Sequence, residues 1–233
     1  MLNCQNEFFT IPRLEQIAYL VHGFGTAERK ETDFRKSLEG KDFRILHLKQ
    51  VHSNIVHFVD KIPDENLRGD AVVTALPHLL LVIKTADCLP VLMAEESKRI
   101  IAAVHCGWRG TQKKVIQRTI KGMESHYGCQ PSSLLVAFGP CIGPDCYEVG
   151  EDVRRSYEKA GLASEIFRNH PSREGKYFLD LRKATRLQLL SLGVKKENLY
   201  GIDSCSHCCD FLPSYRRDGK SSTRMESFIG MSF

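Results

Sequence analysis

The chain has no apolar run long enough to cross a bilayer. Its longest runs, Leu79 to Ile83 among them, fall far short of the roughly 20 residues a spanning helix needs. Also missing is a basic leader followed by an apolar stretch and a small-residue cleavage site. Met1 to Arg13 carry Glu7 instead, which predicts a cytoplasmic protein with no membrane partner. Internal repeats, low-complexity tracts and long linkers are absent too, so residues 1–233 are expected to form a single domain. No Lys/Arg stripe interleaved with aromatics is present. The 33 basic and 28 acidic residues leave a net charge of +5, but the basic ones are scattered, which suits small anions and argues against nucleic acid. His-x-His pairs do not occur among the 9 histidines, so the histidine-rich cluster of a multicopper oxidase has no counterpart here.

Cysteine is plentiful, with 9 residues. The odd count, the chain length and the lack of an export signal argue against a disulfide framework and for free thiols, some of them chemically employed.

The segment 43–60, FRILHLKQVHSNIVHFVD, reads as two strands around a Ser53-Asn54 turn. AVVT, LLLVIKT, LPVLMAE and RIIAAVH follow as further strands, which together predict a mostly antiparallel meander. After Gly110 the period changes. Ile116, Ile120, Met123 and Tyr127 share a helical face that Thr111 can cap and Gly128 can end. Further helices over GEDVRRSYEKAG and DLRKATRLQLLSLG, with strands at SSLLVAFG and LYGIDSC, mix the two types without strict alternation. The expected fold class is α+β, not a doubly wound parallel sheet.

Three strands run into a soft metal-ligand residue: LKQVH at His52, VIKTADC at Cys88 and IIAAVH at His105. Two imidazoles and a thiolate suit zinc, and three protein ligands leave a tetrahedral position open, as in catalytic sites. Taken singly, each is as well explained as a satisfied structural histidine or a small buried thiol. In HCGWRGT, Arg109 and the N-terminus of the following helix can hold an anion such as phosphate; alternatively, Trp108 fills the core edge and Arg109 pairs on the surface. Asp70 and Asp87 adjoin apolar strands. Either can hydrogen-bond a ligating histidine or carry a proton, although Asp70 after Gly69 reads first as a turn former. Cys141 and Cys146, together with Cys205, Cys208 and Cys209, supply a C-x4-C and a C-x2-C pair for a structural zinc site, with plain surface thiols as the alternative. Arg216, Arg217, Lys220 and Arg224 lie in a polar loop that is either solvated or a phosphate contact.

The ordered set HGFGT, LKQVH, GDAVVT, TADCLPVLM, AAVHCGWRGT, FGPCIGPDCYEVG, LDL and SYRRDG resembles the laccase-domain family, also called polyphenol-oxidase-like and purine nucleoside phosphorylase proteins, over about residues 20–230. That resemblance implies a layered α/β/β/α domain. It also implies a Zn2+-dependent phosphorylase of adenosine, inosine, guanosine and methylthioadenosine that deaminates adenosine, with purine nucleosides and phosphate as its small-molecule partners. By matching motif, the metal ligands fall on His52, Cys88 and His105. Asp87, Arg109, Arg216 and Arg217 match motifs as well. Chemistry suggests Asp87 as the proton donor to the departing purine and the arginines as substrate or phosphate contacts. The family's other name raises a Cu2+-dependent phenol oxidase as the alternative, and a non-catalytic, metal-stabilised interaction domain is the third reading. Two departures stand out. The chain has Thr26-Ala27 where many relatives have Thr-Arg, with Arg29 and Lys30 the nearest basic residues, and Cys106 replaces the small residue usual after the ligating histidine.

Overall fold

In the computed structural model, residues 8–27, 43–63, 67–162 and 164–233 are described. The strands of the first half are β1 (Leu20–Phe24), β2 (Arg44–His47), β3 (Val56–Val59), β4 (Ala71–Thr74), β5 (Leu79–Thr85), β6 (Leu89–Glu95) and β7 (Ile100–Cys106). Those of the second half are β8 (Leu135–Phe138), β9 (Glu148–Gly150), β10 (Phe167–Asn169), β11 (Lys176–Leu179), β12 (Leu199–Gly201) and β13 (Met225–Met231). They form a six-stranded sheet in the order β12-β8-β6-β7-β4-β3, a four-stranded sheet β1-β13-β5-β2 and a small sheet β10-β11-β9. Parallel pairs β2–β5, β3–β4 and β8–β12 make the two large sheets mixed.

The two large sheets pack face to face. Leu79, Leu81 and Ile83 of β5 and Ile229 of β13 meet Val72, Leu92, Ile101, Ala103 and Ala137 of the six-stranded sheet in one buried cluster. The alternate residues of β5, Leu80 and Val82, join Phe43 and Phe228 on the opposite face. Both faces of β5 are therefore buried, which explains why its sequence is continuously apolar instead of alternating. The far face of the six-stranded sheet, with Val73, Val91, Met93, Ala102 and Val104, receives Ile116, Ile120 and Met123 from the helix Val115–Tyr127 and Leu181 and Leu189 from the helix Leu181–Ser191. The result is the α+β fold that the residue pattern predicts; the sheets are mixed, and the expected meander is broken, since β5 lies in the four-stranded sheet and β4, β6 and β7 in the six-stranded one.

Local departures from the predicted elements have identifiable causes. The expected β2–β3 hairpin does not form: β2 joins one sheet beside β5 and β3 joins the other beside β4. The Ser53-Asn54 segment is gathered onto a carboxylate instead of making a tight turn, as described below. Thr111 is not a helix cap. It lies within a five-residue helix, Trp108–Gln112, that starts after Gly107. A left-handed Lys114 (φ 63°) then separates this from the helix Val115–Tyr127. Gly128 does end that helix in the left-handed region (φ 65°), donating to the Glu124 carbonyl at 2.9 Å. The helix Leu181–Ser191 is capped by Asp180, whose carboxylate accepts from the Lys183 amide at 2.8 Å.

Candidate metal centre and its cavity

His52, Cys88 and His105 come together where the chain passes from one large sheet to the other. Cys88 lies in the short connection from β5 to β6, His105 is the penultimate residue of β7, and His52 occupies the loop between β2 and β3. Only His105 is in a strand, so the picture of three strands each ending on a ligand holds for one of them. The three donor atoms lie within 4.8 Å of one another, and the Cys88 sulfur is 3.8 Å from His52 Nε2. Zinc–sulfur and zinc–nitrogen bonds of about 2.3 and 2.0 Å place tetrahedral ligands about 3.5 Å apart, so this donor set fits one zinc ion with a corner left over. Gly107 completes the cradle: a Cβ there would sit 2.9 Å from His52 Cδ2 and 3.0 Å from the Cys88 sulfur.

Asp70 organises this centre. Reading it as a turn former is wrong, because the side chain is fully buried and accepts hydrogen bonds throughout. His105 Nδ1 donates to Oδ1 at 2.8 Å and the His52 amide donates to the same oxygen at 3.0 Å. The Ser53 amide and hydroxyl each donate to Oδ2 at 2.6 Å. One carboxylate thus fixes the His105 ring, leaving Nε2 to face the other donors, and also bends the loop carrying His52. That backbone is strained, with His52 at φ 56° and Asp87, next to Cys88, at φ 81°. Burial works to raise the Asp70 pKa, but the hydrogen bonds from His105 and Ser53 overcome it and hold the carboxyl at about 2. Burial likewise opposes ionisation of Cys88 and His105, yet each is the other's counter-ion. The thiol falls to about 6 and the imidazole rises to about 9, so the sulfur is a ready thiolate ligand.

The centre opens onto a cavity of about 630 Å³ whose wall includes Gln50, Lys84, Trp108, Arg109, Tyr147 and Arg216. Arg109 is exposed at its rim with its guanidinium 4.3 Å above the Trp108 ring. Its helix has only five residues, so the side chain, more than a helix dipole, is what can attract an anion. Arg216 lies over Tyr147 and donates to the Glu148 carbonyl at 2.9 Å. Arg217, expected beside it as a substrate contact, is not among the cavity-lining residues. Its guanidinium donates to the carbonyls of Ser206, His207, Cys209 and Leu212 and to the Asp218 carboxylate, so it braces a loop. Asp87 does line the cavity, but its carboxylate accepts from the Ser206 hydroxyl at 2.7 Å and the Arg216 amide at 2.6 Å, whereas a proton donor would have to be protonated. The sequence offers no role for Tyr147 and only the core edge for Trp108, because an aromatic beside a glycine-rich loop carries no signal of which cavity it faces.

A sequence profile described as "Multi-copper polyphenol oxidoreductase laccase" matches residues 26–232. The chain belongs to this laccase-domain family. Similar proteins include a purine nucleoside phosphorylase of Deinococcus radiodurans, 41% identical over 184 residues that cover 79% of this chain and 69% of that one. Another, from Clostridium acetobutylicum, is 39% identical over 187 residues, covering 78% of this chain and 75% of its own. The crystal structure of YlmD from Geobacillus stearothermophilus superposes with a TM-score of 0.86 at 27% identity, covering 98% of this chain and 97% of that one.

The two departures from the laccase-domain pattern resolve differently. Arg29 and Lys30 lie outside the described residues. Cys106, neighbour of His105 in β7, points to the opposite side of the sheet, into the helix-facing core, and burial pushes its thiol up, so it is not a second reactive group at the centre. Of the five cysteines considered for a further zinc site, Cys146, Cys205 and Cys208 converge, with sulfurs within 4.8 Å of one another. Cys141 is buried under Arg182 and Cys209 lies outside the cluster. All eight cysteines among the described residues are free thiols.

Proposed function

We propose that this chain is a zinc-dependent purine nucleoside phosphorylase that also deaminates adenosine, with residues 1–233 acting as one catalytic domain in the cytoplasm. The observation that carries this reading is an open His2Cys donor set at the base of a cavity with an arginine at its rim. The names of the similar proteins support the phosphorylase part of this reading. His52, Cys88 and His105 would hold the zinc, which would supply Lewis acidity towards a substrate oxygen or water, the chemistry that phosphorolysis and deamination call for. Arg109 holds phosphate by charge-assisted hydrogen bonds, and Arg216, which also lines the cavity, adds positive potential. Trp108 and Tyr147, which line the cavity, supply aromatic surface for the purine. Because the oxygens of Asp87 already accept hydrogen bonds, we assign it to positioning the Arg216 segment, not to proton transfer. Adenosine, inosine, guanosine and methylthioadenosine are the substrates to test.

The experiment is incubation of the zinc-loaded protein with adenosine or inosine and phosphate, followed by analysis for free base and ribose 1-phosphate. Product that requires phosphate and vanishes in Cys88→Ala is expected. Phenol oxidation with copper and no nucleoside turnover would instead support the oxidase. Against that alternative, the second ligand cluster among the described residues contains no histidine. Against a purely structural metal, the first cluster faces a cavity and is not closed by a fourth protein ligand among the described residues.

A further inference from the structure

Away from this cavity, the loop Cys141–Tyr147 and the loop Cys205–Leu212 meet at the three convergent sulfurs. The turn Cys205-Ser206-His207-Cys208 behaves as a knuckle. The Gly143 amide donates to the Cys205 sulfur at 3.1 Å, and the backbone N–H groups of Cys208 and His207 are directed at the same atom. Such N–H groups neutralise a thiolate, as around thiolate-bound metals. Cys146 reaches over from the other loop to place its sulfur 3.3 Å from that of Cys208. Three thiolates around zinc, at bonds of about 2.3 Å, are separated by about 3.8 Å, so the Cys146–Cys208 pair opens by roughly half an ångström to seat the ion, and Cys208 is exposed and free to move. The cluster borders its own cavity of about 290 Å³, where Arg182 and Asp203 form an ion pair of 2.8 Å.

We propose that Cys146, Cys205 and Cys208 form a second zinc site, bound by three thiolates with the fourth position open to solvent through the Cys208 side. Each thiol that is protonated gives its proton to solvent as the Zn2+–sulfur bond forms, with no change of oxidation state. The site ties the two loops together. Those loops also grip Asp87: the Ile142 amide donates to its carbonyl at 2.9 Å and Ser206 to its carboxylate. Zinc here therefore steadies the wall on which Tyr147 and Arg216 stand, and it does so whatever reaction the first cavity performs.

The test is metal stoichiometry of the full chain, stripped with chelator under reducing conditions, reloaded with Zn2+ and dialysed. The wild type is expected to retain two ions per chain. Cys88→Ala and the double variant Cys146→Ser/Cys208→Ser should each retain one, and the combination of all three changes none. Loading Cys88→Ala with Co2+ should give the strong near-ultraviolet absorption of cobalt bound to several thiolates, a readout independent of whether the double variant folds. The proposal is overturned if Cys88→Ala retains no zinc and shows no such band. It is also overturned if the wild type holds no more zinc than the double variant, or if Cys146 and Cys208 are recovered as a disulfide that zinc does not prevent. Failure of the first centre alone would appear differently, as an ion count unchanged by Cys88→Ala.

Discussion

Asp70→Asn keeps the shape of the buried side chain and removes its charge, so it isolates what the carboxylate does. If the new amide nitrogen replaces Oδ1, it opposes the donors His105 Nδ1 and His52 N–H, at 2.8 and 3.0 Å. His105 can then answer only by moving its proton to Nε2, the nitrogen that would ligate. If the amide replaces Oδ2, it opposes the Ser53 amide at 2.6 Å and releases the loop that carries His52. Either way the metal site is damaged. Losing a partner of this kind costs about 10–100-fold in metal affinity, or roughly 1.4–2.7 kcal/mol. Breaking a buried ionic network costs about 3 kcal/mol of stability, a fall of about 10 °C in melting temperature for a chain of this size. Competition against a chromophoric zinc chelator, run well below the variant's melting point with its fold checked by circular dichroism, measures the first effect; a thermal melt measures the second. A folded Asp70→Asn protein that binds zinc within threefold of wild type would refute the claim that this carboxylate sets the ring and the loop.

Gly107→Ala should fold, since the backbone there (φ −77°) accepts alanine, yet lose zinc, because its Cβ would fall 2.9 Å from His52 and 3.0 Å from Cys88; undiminished zinc affinity would show that the cradle is looser than described. Arg109→Ala should raise the phosphate KM about 10–100-fold, from the roughly 1.5–3 kcal/mol of a charge-assisted contact, while the fold is unaffected; an unchanged phosphate KM places the anion elsewhere. His22 provides a pH prediction. Burial depresses its pKa from 6.5 to about 4, against a small opposing pull from Glu15, and its ring accepts from the Ile11 amide at 2.8 Å. A depressed pKa means stability that is complete above pH 6.5 and lost as pH falls towards 4, about 3 kcal/mol in all. In urea titrations at pH 7 and pH 4, His22→Gln should lose that much less on acidification than wild type, and equal losses would dismiss the assignment.

Periodicity is enough to locate most elements: the apolar faces of the helix Val115–Tyr127, the burial of β5 except at Lys84 and the full burial of β6 and β7 follow directly from their residues. Pairing was less legible. β2 and β3 look like a hairpin because both alternate, and nothing local reveals that a carboxylate some 17 residues further on, Asp70, draws their connection away into two sheets. The three converging donors were recognisable by type. Asp70 holds a ligating histidine, one of its two sequence readings, and not the turn that Gly69 suggested, while Arg217 braces a loop because a guanidinium surrounded by backbone carbonyls looks in sequence like one facing substrate. The second thiolate cluster was half visible: five cysteines were candidates, and only the fold of the two loops selects three.

The position of His52, Cys88 and His105 at the crossing between the two large sheets makes any ion they share a rivet through the sandwich. A ligand that binds only the folded chain stabilises it by about 2.7 kcal/mol at a hundred times its dissociation constant. Chelation should therefore do more than silence a reaction: it should let the sheets part more readily, and the thermal durability of this protein should follow the zinc supplied to it.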